Sequence, residues 1–443
     1  MKNSADYQNK IITIDEALNL VKTNDVIVFG MAGAEPQEFA KNVHKVAHRV
    51  KNVTITNCLP NIDGDYFMNP KYAEEDIFTV DSWFFSGSLR KTHKYGNVSY
   101  IPNHLHLAGT KRLAHKKPNI YVGSATYPDK HGYISLSLCN VYEKQIIEAS
   151  DIVILEINKN FPRTFGTVEI HYTDVDYLIE TDYAPPTIPD IEPNEKDYII
   201  GRHIASFIND GDTIQLGIGG IPNAVAESLM DKKDLGIHTE MFTTGLMKLA
   251  KAGVATGKLK NMYKGKHVCA FAFGSQELYD FLDDNPSVLM LDGSYVNDPY
   301  VIAQNDNQVS INAAIEVDLT GQVCSESIGT RHWSGSGGQA DTAIGAQKSK
   351  NGRSFIALYS TAMVKNPETG EREEVSKIVP TLKPGAGITL SRNDVDRVVT
   401  EYGVAELRGT NIDERVERLI AIAHPKFRES LRKEAIELGI IAR

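Results

Sequence analysis

The sequence predicts an α/β protein built from two tandem open α/β domains that are related by internal duplication. The chain of 443 residues is too long for one hydrophobic core and suits two domains of about 200 residues each. Short apolar strands alternate with amphipathic helices along most of the chain, which is typical of parallel sheets covered by helices. A strand, a glycine-rich loop and a helix follow one another in each half.

The two halves repeat one local pattern in the same register. When the two halves are aligned, Leu20-Val21 of the first half matches Phe207-Ile208 of the second. Apolar and polar positions also agree along the aligned segment. The same spacing relates Asp25 to Asp212, Gly30 to Gly217, and Gly33 to Gly220. A few glycines and an aspartate can align by chance, but a spacing that is constant through helix, strand and loop favours duplication.

The first domain is predicted to span residues 1–184. It begins with a helix at residues 15–21 and a buried strand at 25–30, followed by a small-residue loop and a helix at 37–50. Further strands are predicted at residues 53–57, 77–80, 98–101, 120–122 and 152–156.

Residues 185–196, rich in proline and acidic side chains, are predicted to be the linker, and residues 197–443 the second domain. A helix at 197–208 opens this domain, a turn between two strands is expected at 366–370, and an amphipathic helix closes the chain. Its strands are predicted at residues 213–216, 235–241, 268–273, 288–291, 355–359, 378–382 and 398–400.

Composition limits the class of protein. Hydrophobic residues make up 42% and charged residues 23% of the chain, as in ordinary globular proteins, and the net charge of −10 argues against nucleic-acid or anionic-membrane binding. The N-terminus lacks the pattern of a secretory signal and no apolar run approaches the ~20 residues of a membrane span, so we expect a cytoplasmic protein. The four cysteines form no CxxC pair, and we expect them to be buried and reduced.

The glycine-rich loop of the second half is a candidate anion site. The strand at residues 213–216 leads directly into Gly217-Ile218-Gly219-Gly220, and Pro222 fits the first turn of the following helix. Glycines allow several backbone N–H groups to point the same way, so a phosphate, a carboxylate or a developing oxyanion can bind there.

Glu240 lies at the end of the next predicted strand, within residues 235–241. The carboxyl ends of parallel strands share one edge of an open sheet, where ligands bind, so we expect Glu240 and the glycine loop to face the same crevice. Position alone leaves open the alternative that Glu240 is a solvated residue near a helix start.

A second glycine loop, at residues 334–338, is weak evidence by itself, because Ser-Gly stretches are often surface turns. Arg331, His332 and Trp333 precede it and offer cationic and aromatic contacts, although packing or surface exposure is the more common role for such a histidine. From the sequence alone, Asn297 is predicted to lie in a turn, and Glu401 is predicted to be an acidic residue at the end of a strand with no assigned role.

Common catalytic motifs are absent. The sequence contains no GK[ST] phosphate loop, HExxH or GxSxG, which removes the commonest NTPase, zinc-protease and serine-hydrolase interpretations. A dinucleotide fingerprint starting at Gly217 lacks its third glycine, with Asn223 near the expected position, so a nicotinamide dehydrogenase is disfavoured.

Ordered motifs over nearly the whole chain resemble one known family. The motifs GIGGIPNAV, GIHTEM, NDPYVIAQNDNQVSINAAIEVDLTGQVCSESIGT, SGSGGQAD, SRNDVDRVVTEYGVAELRG and IAHPKFR are similar to coenzyme A transferases of the 4-hydroxybutyrate and butyryl-CoA:acetate type, within the acetyl-CoA hydrolase/transferase family. The resemblance implies two tandem domains of the class I CoA-transferase type. It also implies ping-pong transfer of CoA between a short-chain acyl-CoA and a short carboxylic acid.

The resemblance also implies roles for individual residues. The glutamate of its HTEM motif, Glu240, is the expected nucleophile that becomes a glutamyl-CoA thioester, and the backbone amides of Ile218 and Gly338 are the expected oxyanion donors. Asn297 and Glu401 are expected to support the site. The expected CoA contacts are Gly217, Ile218, Gly219, Gly220, Ile221, Ile315, Gly337 and Gly338. Trp333 and Thr342 depart from the family's usual residues, which affects the expected shape of the acyl pocket.

By the same resemblance, CoA thioester is a substrate, and we expect neither a tightly bound cofactor nor a metal. We expect a homodimer or homotetramer that binds neither nucleic acid nor membrane. Two alternatives remain open at this stage. One is an acyl-CoA hydrolase in which water resolves the covalent intermediate. The other is a non-catalytic ligand sensor on the same fold, which the intact Glu240 and glycine loops disfavour.

Overall fold

The computed structural model describes residues 5–365 and 369–442, and it divides into two compact units. The first comprises Met1–Asp190, Glu240–Thr244 and His267–Asn297, and the second comprises Ile191–Thr239, Gly245–Lys266 and Asp298–Arg443. The units therefore interleave along the chain, whereas the sequence predicted domains in chain order, 1–184 and 197–443. The interleaving arises because the chain re-enters the first unit within a strand, between Thr239 and Glu240.

The first unit contains a seven-stranded parallel sheet in the order β10-β7-β5-β1-β2-β3-β4. The strands up to residue 190 are β1 (Val26–Phe29), β2 (Val53–Asn57), β3 (Phe78–Ser82), β4 (Val98–Tyr100), β5 (Ile120–Ala125), β6 (Tyr133–Ser135), β7 (Ile152–Asn158), β8 (Phe165–Gly166), β9 (Glu169–His171) and β10 (Tyr177–Thr181). The helices are α1 (Ala5–Lys10), α2 (Ile14–Asn19), α3 (Gln37–Asn42), α4 (Asp65–Met68), α5 (Lys71–Glu74), α6 (Gly87–Thr92), α7 (Ala108–His115) and α8 (Glu143–Ala149).

The rest of the chain supplies further strands and helices. The strands are β11 (Thr213–Leu216), β12 (Gly236–Phe242), β13 (His267–Ala272), β14 (Val288–Met290), β15 (Gln308–Ala313), β16 (Glu316–Asp318), β17 (Val323–Cys324), β18 (Ser327–Ile328), β19 (Arg331–His332), β20 (Arg353–Ala357), β21 (Thr361–Lys365), β22 (Arg372–Ser376), β23 (Ile378–Val379), β24 (Arg397–Thr400) and β25 (Gly403–Glu406). The helices are α9 (Glu195–Ala205), α10 (Gly220–Ser228), α11 (Thr244–Lys251), α12 (Gln276–Leu282), α13 (Gly293–Val296), α14 (Pro299–Ile302), α15 (Gln339–Lys348), α16 (Ile412–Ile422) and α17 (Arg428–Glu437).

The strand order confirms the repeat read from the sequence. In the second unit, β24, β20, β15, β11 and the start of β12 are consecutive parallel neighbours, the order in which β10, β7, β5, β1 and β2 follow one another in the first. The parallel pair β13 and β14 likewise matches β3 and β4. Because β1 and β11 are the strands that precede the repeated glycine loops, the two sequence repeats occupy equivalent places in their sheets.

Each predicted strand has a counterpart in the structure, and two differences from the prediction are notable. Strand β15 was not predicted, although Gln308, Ser310 and Asn312 alternate with apolar residues as in a strand. Helix α9 begins at Glu195 rather than at residue 197, because Asn194 and Asp197 form a capping box. The predicted turn at 366–370 includes residues 366–368, which lie outside the described residues, while β21 and β22 on either side pair antiparallel.

The helices and the four cysteines bear on two expectations from composition. Across residues 5–365 and 369–442, no helix combines the length and apolar character that crossing a bilayer requires. Cys58, Cys139, Cys269 and Cys324 are all buried and none is in a disulfide, which confirms their predicted burial.

Helices α9 and α10 are in close contact at Gly201. A Cβ atom there would lie 2.9 Å from the backbone carbonyl carbon and oxygen of Ala224, so Gly201→Ala forces the two helices apart. We expect this substitution to lower the free energy of unfolding by about 1–3 kcal/mol, measured by urea denaturation. In the matched control Gly87→Ala, on α6, the nearest atom would be Nη2 of Arg90 at 3.6 Å. Equal stability of both variants would contradict close packing at Gly201.

Two carboxyl groups of the first unit, those of Glu35 and Glu156, are buried. Glu35 accepts hydrogen bonds from the backbone N–H groups of Asn61 and Ile62 at 2.6 and 3.1 Å, and Glu156 accepts one from that of Phe39 at 2.7 Å. Burial, augmented by the charge of Glu156, raises the pKa of Glu35 to about 8. Burial also raises the pKa of Glu156 to about 7.

The raised pKa of Glu35 predicts a stability that falls as pH rises. A carboxyl that stays protonated when folded and ionises when unfolded stabilises the protein fully below its ordinary pKa, and this contribution is lost as pH rises toward about 8. Glu35→Gln removes that contribution, so its free energy of unfolding should fall less between pH 5 and pH 8 than that of the wild type. The exposed control Glu74→Gln should keep the wild-type slope, and an unchanged slope in Glu35→Gln would contradict the prediction.

Candidate active site

The carboxyl ends of four neighbouring parallel strands form one rim of the second unit. Strand β11 pairs with β15, β15 with β20 and β20 with β24, all in parallel. Gly217 directly follows β11, Ile315 lies two residues beyond β15, Ser360 three beyond β20, and Glu401 directly follows β24. This rim is where open α/β sheets bind ligands, and it collects three of the residues that the sequence nominated.

The first glycine loop is a tight turn between β11 and α10. Gly217 donates its N–H to the carbonyl of Ile311 at 3.1 Å, which ties the loop to β15. Gly219 has a φ of 116°, which a residue with a Cβ rarely adopts, and a Cβ on Gly220 would lie 2.5 Å from Oδ2 of Asp197. Gly219 and Gly220 add no side chains of their own to the turn, which allows its backbone to bend as an anion-binding turn requires.

The second glycine loop ends at Gly338, the buried N-cap residue of α15. Gln339 anchors this end, because its Nε2 donates to the carbonyl of Ala313 at 2.8 Å and its Oε1 accepts from Oγ of Ser325 at 2.7 Å. Gly337 has a φ of 53°, a left-handed conformation that favours glycine. The loop therefore has a fixed end, directly beyond β15.

Glu401 is held as an anion. Its carboxylate accepts hydrogen bonds from the N–H and Oγ of Ser360, each at 2.8 Å, and Nζ of Lys196 lies 3.0 Å away. Burial alone raises the pKa of Glu401, but these donors outweigh it and the pKa is lowered. Lys196 was missed by the sequence analysis, because nothing in its local pattern distinguishes it from a solvated residue of α9.

Glu240 is the partly exposed residue in the otherwise buried strand β12. Nδ2 of Asn297 donates to its Oε2 at 2.7 Å, and Asn297 itself is fully buried at the C-terminal end of α13. Oδ1 of Asn297 has no hydrogen-bond partner among the described residues. The turn residue of the sequence analysis is therefore an amide that orients one oxygen of the candidate nucleophile.

Cys58 and Glu143 are further buried groups of the first unit that the sequence analysis did not assign to the site. Burial, with the charges of Glu143 and Glu240, raises the pKa of the Cys58 thiol well above its ordinary value. Glu143 accepts hydrogen bonds from the N–H groups of Met31 and Tyr142, each at 3.0 Å. No sequence signal marks Cys58 or Glu143, because their proximity to other groups arises from strand order.

His332 and Trp333 lie beside the second glycine loop. Nε2 of His332 is 2.6 Å from the carbonyl of Ser334, and the guanidinium of Arg331 lies 5.8 Å from the centre of the Trp333 ring, which is 38% exposed. The contact of His332 with its own turn matches the packing role that the sequence favoured.

Glu240 supplies a carboxylate, and the glycine loops supply backbone N–H groups of the kind that can bind an anion. In the first unit, one oxygen of the Glu240 carboxylate accepts a hydrogen bond from the neutral amide of Asn297, which orients the carboxylate. The second unit presents glycine-rich turns and the cation of Lys196. Within residues 5–365 and 369–442, no group of three or more His, Cys, Asp and Glu side chains is arranged to hold a metal ion.

Comparison with known proteins gives the family. The sequence matches the models of the acetyl-CoA hydrolase/transferase N-terminal domain over residues 1–189 and C-terminal domain over residues 274–435. It is 41% identical to the 4-hydroxybutyrate coenzyme A transferase of Clostridium kluyveri over 97% of each chain. It is 40% identical to the succinyl-CoA:cyclohexane-1-carboxylate CoA transferase of Geobacter metallireducens, over 98% of this chain and 97% of that one.

A solved structure supports the same family assignment. The fold is similar to that of 4-hydroxybutyrate CoA-transferase from Porphyromonas gingivalis, with a TM-score of 0.80, 35% identity and 98% of each chain covered. Close relatives that cover nearly the whole chain are CoA-transferases, and both family models match in order. The chain therefore belongs to the acetyl-CoA hydrolase/transferase family and is an enzyme of the CoA-transferase type.

Proposed function

We propose that this enzyme transfers coenzyme A from a short-chain acyl-CoA to a short carboxylic acid, such as 4-hydroxybutyrate, butyrate or acetate, through a glutamyl-CoA thioester on Glu240. The observation that carries the proposal is the 2.7 Å hydrogen bond from Nδ2 of Asn297 to Oε2 of Glu240. A neutral donor orients a carboxylate and favours its ionised form, which is the form that attacks an acyl carbon.

The first half-reaction begins when a carboxylate oxygen of Glu240 attacks the thioester carbonyl carbon. The tetrahedral intermediate expels CoA thiolate and leaves a mixed anhydride between the acyl group and Glu240. The thiolate then attacks the glutamyl carbonyl carbon and expels the acyl group as a carboxylate. Two bonds form and two break, and the product is a glutamyl-CoA thioester.

The second half-reaction reverses these steps with a new acid. The incoming carboxylate attacks the glutamyl thioester, CoA thiolate leaves, and the thiolate then attacks the new acyl carbonyl and releases Glu240. The thioester bond energy is kept throughout, so no ATP is needed. Coenzyme A enters as a substrate rather than as a resident cofactor.

Each tetrahedral intermediate needs donors for its oxyanion. By resemblance we assign them to the backbone N–H groups of Ile218 and Gly338, and one such donor typically lowers a barrier by about 3–4 kcal/mol. The positive φ of Gly219 and the anchored end of the second loop at Gln339 support this assignment, since oxyanion donors act best when their positions are fixed in advance.

We propose the acid substrate only as a class, the short carboxylic acids. Relatives of nearly equal identity bear names with different acids, 4-hydroxybutyrate in one and cyclohexane-1-carboxylate in another. Overall similarity therefore does not identify which short acid is preferred, because such acids are discriminated by the shape of the pocket.

By resemblance to the family, we further propose that the enzyme is a cytoplasmic homodimer or homotetramer.

Replacing Glu240 by glutamine tests the covalent mechanism. The amide is a poor nucleophile toward a thioester, so Glu240→Gln should lower kcat for transfer about 10³-fold or more. The measurement is the rate of acetyl-CoA formation from acetate and butyryl-CoA, with each short acid then compared as acceptor.

The exposed glutamate Glu74 provides the matched control. Glu74→Gln makes the same chemical change away from the site and should keep the wild-type rate, and circular dichroism should show both variants folded. Wild-type turnover by Glu240→Gln would exclude Glu240 as nucleophile. Release of CoA at the same rate with and without an acceptor acid would instead indicate a hydrolase.

Replacing Asn297 tests the orientation of the nucleophile. Loss of a hydrogen bond to a charged group costs about 1.5–3 kcal/mol, so Asn297→Ala should slow formation of the glutamyl-CoA thioester in the first half-reaction about 10- to 100-fold. Asn297→Asp places a second carboxyl beside Glu240, so one of the two should have a raised pKa and the acid limb of the pH–rate profile should move to higher pH. A wild-type profile in Asn297→Asp would contradict this role.

A further inference from the structure

Four polar side chains form a hydrogen-bonded cluster beneath the rim of the second unit. Gln215 lies on β11, Ser310 and Asn312 on β15, and Thr342 on α15. Gln215, Ser310 and Thr342 are at most 4% exposed, and Asn312 is half-buried at the end of its strand. We call these four residues the Asn312 cluster.

The cluster fixes the direction of the Asn312 amide. Nδ2 of Asn312 lies 3.0 Å from Oγ of Ser310, 3.0 Å from Oγ1 of Thr342 and 3.4 Å from Oε1 of Gln215. Oγ of Ser310 is in turn 2.9 Å from both Oε1 of Gln215 and Oγ1 of Thr342. Oε1 of Gln215 only accepts hydrogen bonds, so the amide nitrogen of Asn312 is the atom that faces it.

The oxygen of the same amide therefore points away from the cluster. A Cβ on Gly217 would lie 4.0 Å from Oδ1 of Asn312, which places this oxygen beside the first residue of the first glycine loop. No hydrogen bond from the described part of the chain reaches that oxygen. A half-buried carbonyl oxygen without a protein donor is available to a donor on a ligand.

The cluster also joins the two loops that flank this oxygen. Gln215 lies two residues before Gly217, and the N–H of Thr342 donates to the carbonyl of Gly338 at 2.9 Å. Oγ1 of Thr342 additionally lies 3.4 Å from the carbonyl of Gln339. Oδ1 of Asn312 is thus a hydrogen-bond acceptor on the rim, whereas the neighbouring glycine loops offer backbone N–H donors.

We propose that Oδ1 of Asn312 accepts a hydrogen bond from an amide N–H of the pantetheine arm of coenzyme A, and that Thr342 is a positioning residue for this contact. The inference rests on the proposed function, which places CoA at the glycine loops. The pantetheine arm carries two secondary amides, and each N–H needs an acceptor when the arm leaves water. A carboxylate substrate without a hydroxyl group offers Asn312 no donor once it is ionised.

Direct binding of CoA tests the contact without requiring turnover. Titration calorimetry with CoA should show about 3- to 10-fold weaker binding by Asn312→Ala, as expected for the loss of one neutral hydrogen bond. The KM for butyryl-CoA should rise by a similar factor, while the KM for acetate stays near that of the wild type.

Thr342 gives a second, milder test that does not depend on how Asn312→Ala folds. Thr342→Val keeps the volume but removes the hydroxyl, so CoA binding should weaken in the same direction. Thr342→Ser restores the hydroxyl and should restore the affinity. If the cluster only stabilised the fold, Thr342→Val would have a lower melting temperature than the wild type but the same affinity for CoA.

Two outcomes would overturn the proposal. Unchanged CoA affinity in Asn312→Ala would exclude the contact. A raised KM for 4-hydroxybutyrate alone, with butyryl-CoA and acetate unaffected, would assign Oδ1 to the hydroxyl of the acid instead. Failure of the proposed function has a different signature, because CoA would then bind in an Asn312-dependent manner to an enzyme that forms no adduct on Glu240.

Discussion

Side-chain hydrogen bonds made by polar residues of the central strand β15 are the interactions on which the rim of the second unit depends. A parallel strand covered on both faces is normally apolar, yet β15 carries Gln308, Ser310 and Asn312. Ser310 and Asn312 bond to Gln215 and Thr342, and Nε2 of Gln308 donates to the carbonyl of His238 at 3.1 Å. These bonds join β15 to its neighbours through side chains as well as through the backbone, and they do so directly beneath the glycine loops.

These interactions explain why the rim is built from two kinds of residue. Glycines at the loops allow the backbone to turn tightly, while hydrogen-bonded polar side chains such as Gln339 hold the loop ends in place. Backbone donors of this kind stabilise a developing charge only when their geometry is set before the substrate arrives. The anchors at Gln339 and Gly217 belong to the protein itself, so the geometry of the loop ends does not depend on a bound ligand.

The repeat, the parallel α/β class and most strands of the two large sheets could be predicted from the sequence, because a buried strand such as β1 is short, apolar and bounded by turn residues. Strand β15 was not predicted although its polar and apolar residues alternate, and what makes Ser310 and Asn312 tolerable in it is a partner on β11, far away in the sequence. The hydrogen bond between Asn297 and Glu240 lies beyond sequence reasoning for the same reason. It joins residues 57 positions apart, and strand order brings them together.

The central claim is that Glu240 forms a covalent bond to coenzyme A, and intact-protein and peptide mass spectrometry after incubation with butyryl-CoA and no acceptor acid tests it most directly. The account predicts a CoA adduct on the peptide that contains Glu240, discharged when acetate or butyrate is added. An enzyme that releases CoA under these conditions with no adduct at any stage, or that carries the adduct on another residue, would contradict it.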